Sequence, residues 1–157
     1  SILESQKVDE LFHSRFSARK RTYFYRILNR KSPSPLLINR TWFVPYSLDV
    51  SVMLEASKSL IGKHDFNSFR SSQCQAKNSI RSLEEINILR KEDEIHFSIS
   101  ARSFLHNQVR IIVGSLVNIG RKYWQKDKLN EILAKKSRTS AGPTAPPHGL
   151  YLEKISY

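Results

Sequence analysis

Residues 104–120, FLHNQVRIIVGSLVNIG, form the most apolar run of the chain, with one arginine set in it. At 100° per residue Leu105, Val109, Ile112, Val113, Leu116 and Ile119 share one broad side, so the spacing predicts a core helix. Arg110 lies at the border of that side, one turn from His106 and one turn from Gly114. Gly114 weakens a helix relative to Ala, but it leaves a gap beside the guanidinium where another group can approach. Burying an unpaired guanidinium is costly, so an anion is expected opposite Arg110. That anion could be a structural carboxylate, a phosphate or a catalytic group.

The neighbouring segments supply a sheet for this helix. In residues 94–102, Ile95, Phe97, Ile99 and Ala101 alternate with His96, Ser98, Ser100 and Arg102, which predicts a strand with one buried face. Residues 79–90 pair with it antiparallel across the turn KEDE. TYFYRILN at 22–29 is a strand by its aromatic and β-branched content, with Tyr23, Tyr25 and Ile27 on one side. SPSPLL is a loop, TWFVP a short strand that Pro45 ends, and LYLEKISY a closing strand. A helix starts near Asp49, carries Val52, Met53, Ala56 and Leu60 inward, and stops at Gly62. Phe66 and Phe69 suggest a helical turn that Asp65 caps, and 127–136 is a shorter helix. The order predicts an α+β domain over residues 1–157, an antiparallel sheet with helices packed on one face, with 1–11 as a lead-in of no clear pattern.

Composition narrows the partners. The 157 residues, 39% hydrophobic with mixed charges, are enough for one globular domain. No 18-residue apolar run and no signal or transit peptide is visible, so no membrane is expected. The single cysteine, Cys74, allows no internal disulfide and suits a reducing cytoplasm. The net charge of +12 is unevenly spread: residues 11–48 and 95–126 hold no acid, while Glu84, Glu85, Glu92, Asp93 and Glu94 crowd together. A basic face apart from an acidic patch favours a polyanionic partner. In LFHSRFSARKR, Arg15, Arg19, Lys20 and Arg21 are candidates to track a phosphate backbone, with Phe12 and Phe16 expected to anchor the loop. Arg70 opens a polar loop suited to phosphate and sugar contacts.

Several chemistries find no support. The five histidines are far apart and make no metal-ligand pair, and the glycines form neither a P-loop nor a dinucleotide fingerprint. No nucleophile elbow is present, and Cys74 has no base beside it in sequence.

In this order, FHSRFSARKRTYFYRI, LIGKHDFNSF, SFLHNQVRIIVGSLVNIGR and GPTAPPHGLYL resemble the tRNA pseudouridine synthase A family over residues 12–157. The resemblance is to the C-terminal part. The family's nucleophilic aspartate lies in an Arg-Thr-Asp motif of an N-terminal part, and this sequence contains no such triplet. The resemblance implies half of a fold built from two ferredoxin-like halves, and a cofactor-free, metal-free isomerisation of uridine to pseudouridine at positions 38–40 of the tRNA anticodon arm. It implies that Tyr23 lies against a flipped base and that Arg110 pairs with the aspartate, with Gly114 as the clearance through which that carboxylate arrives. Arg15 matches a tRNA-contacting arginine, and Lys31 matches another more weakly. His64, Asp65 and Phe66 resemble a loop that shapes the cleft. Gln108 stands where the family often has Met, a neutral departure. The resemblance further implies a homodimeric cytoplasmic enzyme in which this half alone is inactive. The alternative reading is a non-catalytic basic RNA-binding module.

Overall fold

The computed structural model describes residues 2 and 4–157, so residues 1 and 3 of the expected lead-in lie outside the described residues. Among the described residues six strands form one sheet: β1 (Lys20–Leu28), β2 (Trp42–Phe43), β3 (Gly62–Asp65), β4 (Ile80–Lys91), β5 (Glu94–Ala101) and β6 (Leu150–Ser156). Three α-helices accompany them there: α1 (Val50–Ser57), α2 (Gln108–Gly120) and α3 (Lys128–Lys135). The order β2-β1-β5-β4-β3, with β6 on the same flank of β1 as β2, places the long strands as β6-β1-β5-β4. That is the ferredoxin-like arrangement of a split β-α-β unit. Every pairing is antiparallel except the two-residue contact of β1 with β2, where Ile27 and Leu28 meet Trp42 and Phe43.

The core lies between one sheet face and the helices. Ile95, Phe97, Ile99 and Ala101 are fully buried, as their alternation predicts, and Tyr25 and Ile27 join them from β1. On β4, Leu83 and Ile86 both reach the core although three residues apart. A bulge between Leu83 and Glu85 restores the face, because an extra residue shifts the inward parity by one. Gly120 lets α1 lie close on α2: a Cβ there would fall 2.6 Å from the sulfur of Met53. Asp49 caps α1 by accepting from the Val52 N–H, as expected of that residue type.

Three sequence expectations need correction. The helix predicted over 104–120 begins at Gln108, because Asn107 takes a left-handed conformation (φ 62°) that an α-helix excludes. Residues 104–107 keep the apolar pattern as a turn that plants Leu105 in the core. The helix expected to stop at Gly62 ends at Ser57 and tightens into a 3-10 turn over Lys58–Leu60; Gly62, at φ 98°, opens β3, whose partners on β4 include Arg81 for His64 and Ile80 for Asp65. Phe12 anchors on the ring of Tyr157 at 4.8 Å, but Phe16 is 72% exposed and packs only within its own loop, on the ring of His13 at 4.4 Å.

Candidate nucleic-acid interface and active site

At the end of the sheet where β1 begins and β5 ends, an open cavity of about 920 Å³ brings together Arg15, Arg21, Tyr23, Arg81, Arg102 and Arg110. Its wall carries those five arginines and no carboxylate. The acids predicted to cluster lie elsewhere. Glu92 and Asp93 form the β4–β5 turn at the opposite end of β5, and Glu94 binds Arg26 on the sheet face turned away from the helices. One sign of charge in a concave site raises the local potential and draws polyanions.

Arg110 sits on the first exposed-side position of α2, half-buried in a helix otherwise buried except at Asn118. Two groups of this chain hold it. Its Nε donates to the Ala145 carbonyl at 2.6 Å, and one Nη donates to the Asn107 side-chain oxygen at 2.9 Å. The left-handed conformation at Asn107 that delays the helix thus also places the amide one turn before Arg110. The second Nη has no hydrogen-bond partner among the described residues, and no carboxylate among them lies within ion-pair distance of Arg110. The charge is felt in the core: burial pushes the Tyr25 hydroxyl well above its ordinary range, and Arg110 pulls it the other way. Tyr25 is fully buried and donates to the Pro146 carbonyl at 2.7 Å.

The loop that holds Arg110 is docked on α2 by small residues. The Ala145 N–H returns a bond to the Arg110 carbonyl at 3.1 Å, and the Gly142 N–H donates to the Ser115 hydroxyl at 2.9 Å. The gap expected beside Gly114 exists but is filled from within. A Cβ at Gly114 would overlap the Pro143 carbonyl oxygen and come 3.0 Å from its carbon. Gly114 is therefore the seat of the 142–146 loop and not an entry for an outside carboxylate. The Pro- and Gly-rich loop thus lies against the site, where its Ala145 carbonyl holds Arg110.

Tyr23 has a different setting from Tyr25. It is partly exposed on the cavity wall, with its ring edge-on to Phe104 at 5.2 Å. The pairing of β1 with β6 shifts register between Thr22 and Tyr23, skipping Glu153. The extra residue lies on β6, and β1 keeps its parity along β5: Tyr23 and Tyr25 share the core-side face, and Tyr23 lines the cavity because it lies nearer the end of β1 where the cavity opens. The opposite wall comes from residues 73–76, drawn alongside by the Ser71 N–H donating to the His106 carbonyl at 3.0 Å.

Other expected site residues are not gathered here. Lys20 projects to the other sheet face and meets Glu84 at 3.3 Å, since residues alternate along β1. Lys31 lies beyond the far end of β1, and Arg19 is exposed with its N–H bound to the Ser156 carbonyl. Arg70 is half-buried beside Cys74 without lining the cavity. Arg21 does line it, yet its guanidinium donates to the Arg15 and Arg102 carbonyls and so ties the 12–19 loop to the end of β5. His64, Asp65 and Phe66 stand off the cavity wall. His64 binds the Ile61 carbonyl, Asp65 accepts from the Asn67 N–H and the Ser79 hydroxyl, and Phe66 is core. Their block secures the end of α3 through Asn67 on the Lys136 carbonyl and Ser68 on the Ile132 carbonyl. Arg81, Arg102, Asn107 and Gln108 were missed as site residues; Asn107 carried a usable signal, its position one turn before Arg110.

A family model described as tRNA pseudouridine synthase matches residues 56–157. The chain is similar to curated proteins called tRNA pseudouridine synthase A: 52% identical over 156 residues to that of Wolbachia pipientis wMel, covering 99% of this chain and 64% of the relative. It is 50% identical over 157 residues to that of Anaplasma phagocytophilum (strain HZ), covering 100% of the chain and 64% of the relative. It is 50% identical over 156 residues to that of Rhodopseudomonas palustris (strain BisA53), covering 99% and 63%. The chain thus spans 63–64% of the length of these relatives.

Proposed function

Because the chain belongs to the tRNA pseudouridine synthase family, we propose that it is the tRNA-binding, active-site-completing half of a cofactor-free enzyme converting uridine to pseudouridine in the tRNA anticodon arm, at positions 38–40. The nucleophilic carboxylate comes from the part of the relatives' length that this chain does not span, and it meets the free Nη of Arg110. Tyr23 stacks on the flipped base, a use of an aromatic face that needs no sequence-specific contact. Arg15 and Arg102 at the rim hold phosphates, and Arg21 fixes the loop that carries Arg15. The whole enzyme acts in the cytoplasm as a homodimer, and this half alone does not turn over.

The observation that carries this reading is Arg110: a half-buried guanidinium, aimed by a carbonyl and an amide oxygen, with one Nη facing a basic cavity and no anion of its own among the described residues. A neutral pair of acceptors orients a guanidinium without neutralising it, which leaves its charge available to a carboxylate. A merely structural arginine at this depth would be expected to have its counter-ion in the same chain.

The test is single-turnover pseudouridine formation and RNA affinity in the complete protein with Arg110→Ala. Loss of an oriented charge of this kind lowers turnover by about 10²–10³, with tRNA affinity changed little. An equal loss in turnover and affinity would contradict the pairing role, and a non-catalytic RNA-binding module would yield no pseudouridine in either protein.

A further inference from the structure

Gln108 is 1% exposed, yet its side chain is only half satisfied. Its Oε1 accepts from the Leu105 N–H at 2.8 Å, while its backbone N–H donates to the Leu105 carbonyl at 3.0 Å. A backbone N–H can only donate, so the bonded end of the amide is the oxygen and the other end is the NH2. That Nε2 is buried and has no hydrogen-bond partner among the described residues. Gln108 lines the same arginine-rich cavity as Tyr23 and Arg110. Buried donors in folded proteins are almost always paired, and an orphan at a cavity wall calls for an acceptor that arrives from outside.

We propose that the Gln108 Nε2 donates a hydrogen bond to a carbonyl oxygen of the pyrimidine held in the cavity, making Gln108 a residue that positions and selects the base. This rests on the function proposed above. The chemistry of the surroundings chooses among acceptors. Leu105 and Val109 on either side are each 4% exposed, and a neutral donor in apolar surroundings suits a neutral oxygen better than a second buried anion. Anions have better partners nearby: phosphates at the exposed Arg15 and Arg102, a carboxylate at Arg110. Uracil offers two carbonyl acceptors, whereas cytosine replaces one with an amino donor that a facing Nε2 would repel. The backbone N–H and the side-chain oxygen of residue 108 are both tied to residue 105, so the orientation of the amide is fixed before the base arrives.

The experiment uses the complete protein and anticodon-arm RNAs whose target uridine carries oxygen, 2-thio or 4-thio substitution, because sulfur accepts a hydrogen bond poorly. With wild-type protein, sulfur at one of the two positions should slow single turnover by about five- to tenfold, the range of one lost hydrogen bond; which position responds identifies the oxygen. Gln108→Met, apolar and of similar length, should slow the oxygen substrate by the same factor, leave RNA affinity unchanged, and abolish the sulfur effect. Wild-type rates for Gln108→Met, or a sulfur effect of equal size in both proteins, would overturn the proposal. The wild-type arm needs no variant to fold: absence of a sulfur effect at both positions overturns it alone. Wild type that turns over no RNA would sink the functional reading, a result distinct from active wild type with no sulfur effect.

Discussion

Replacing Gly114 by Ala should unseat the loop that orients Arg110. The new Cβ would overlap the Pro143 carbonyl oxygen, with the carbonyl carbon at 3.0 Å and the Ala145 nitrogen at 3.5 Å. Restoring ordinary separation requires the Pro143 carbonyl to retreat by more than about 1 Å. Ala145 is two residues on and holds Arg110 Nε at 2.6 Å, so a shift of that size carries its carbonyl out of range. Overpacking of this kind costs about 1–3 kcal/mol. Losing a hydrogen bond to a charged group adds about 1.5–3 kcal/mol. The sum, about 2.5–6 kcal/mol, lowers Tm by about 5–24 °C at 2–4 °C per kcal/mol. Thermal unfolding of the complete protein reads the stability, the 15Nε–H resonance of Arg110 reads the broken bond, and pseudouridine formation reads the consequence. Gly142→Ala attacks the same seat from the loop side, since its Cβ would meet the Ser115 Cα at 2.7 Å. A Gly114→Ala protein with unchanged Tm, unchanged Arg110 resonance and full activity would refute the docking argument.

The remaining expectations concern other parts of the fold. Arg102→Ala should weaken RNA binding and reduce the slope of log affinity against log salt by about 0.7–0.9, the share of one phosphate contact. Lys31→Ala, at the far end of β1, should leave both unchanged when binding is measured across a salt series. Tyr25→Phe removes the bond to the Pro146 carbonyl and should cost about 1 kcal/mol in chemical denaturation. Glu94, whose side chain is 19% exposed, makes a two-point bond to Arg26 that holds its carboxyl below the ordinary value, with burial opposing. A depressed folded pKa contributes stability that is complete above the unfolded value of about 4.3 and disappears as pH falls through the folded one. Wild type should therefore exceed Glu94→Gln in urea midpoint at pH 7, and the difference should shrink on acidification below that value.

Strand content was legible wherever one face is buried, because alternation is a local signal. Ile95, Phe97, Ile99 and Ala101 reported their strand, its inward side and its partnership with β4. Features that depend on a second segment were not legible. Gly114 showed that something comes close, but only the fold reveals that Pro143, 29 residues later, fills the space. The Ala145 carbonyl on Arg110 has the same character, since a backbone acceptor leaves no mark in residue type. Asn107 delayed the start of the helix against a pattern that Leu105 kept apolar, and a left-handed residue is invisible to periodicity. The basic cluster 15–21 was visible as charge, but strand parity divides it: Arg21 faces the cavity and Lys20 the opposite sheet face. Gln108 looked neutral as a letter and becomes informative only once its orphaned nitrogen is seen.

The central claim is that Arg110 is aimed by this chain and neutralised by another part of the protein. Its most direct measurement is the separation, in an experimental structure of the complete protein, between the free Nη of Arg110 and the nearest carboxylate oxygen from the segment this chain does not span. The account predicts a charge-assisted contact at about 2.7–2.9 Å, with the Ala145 and Asn107 bonds kept. A guanidinium that still has only those two partners, with every carboxylate beyond ion-pair range, would contradict it.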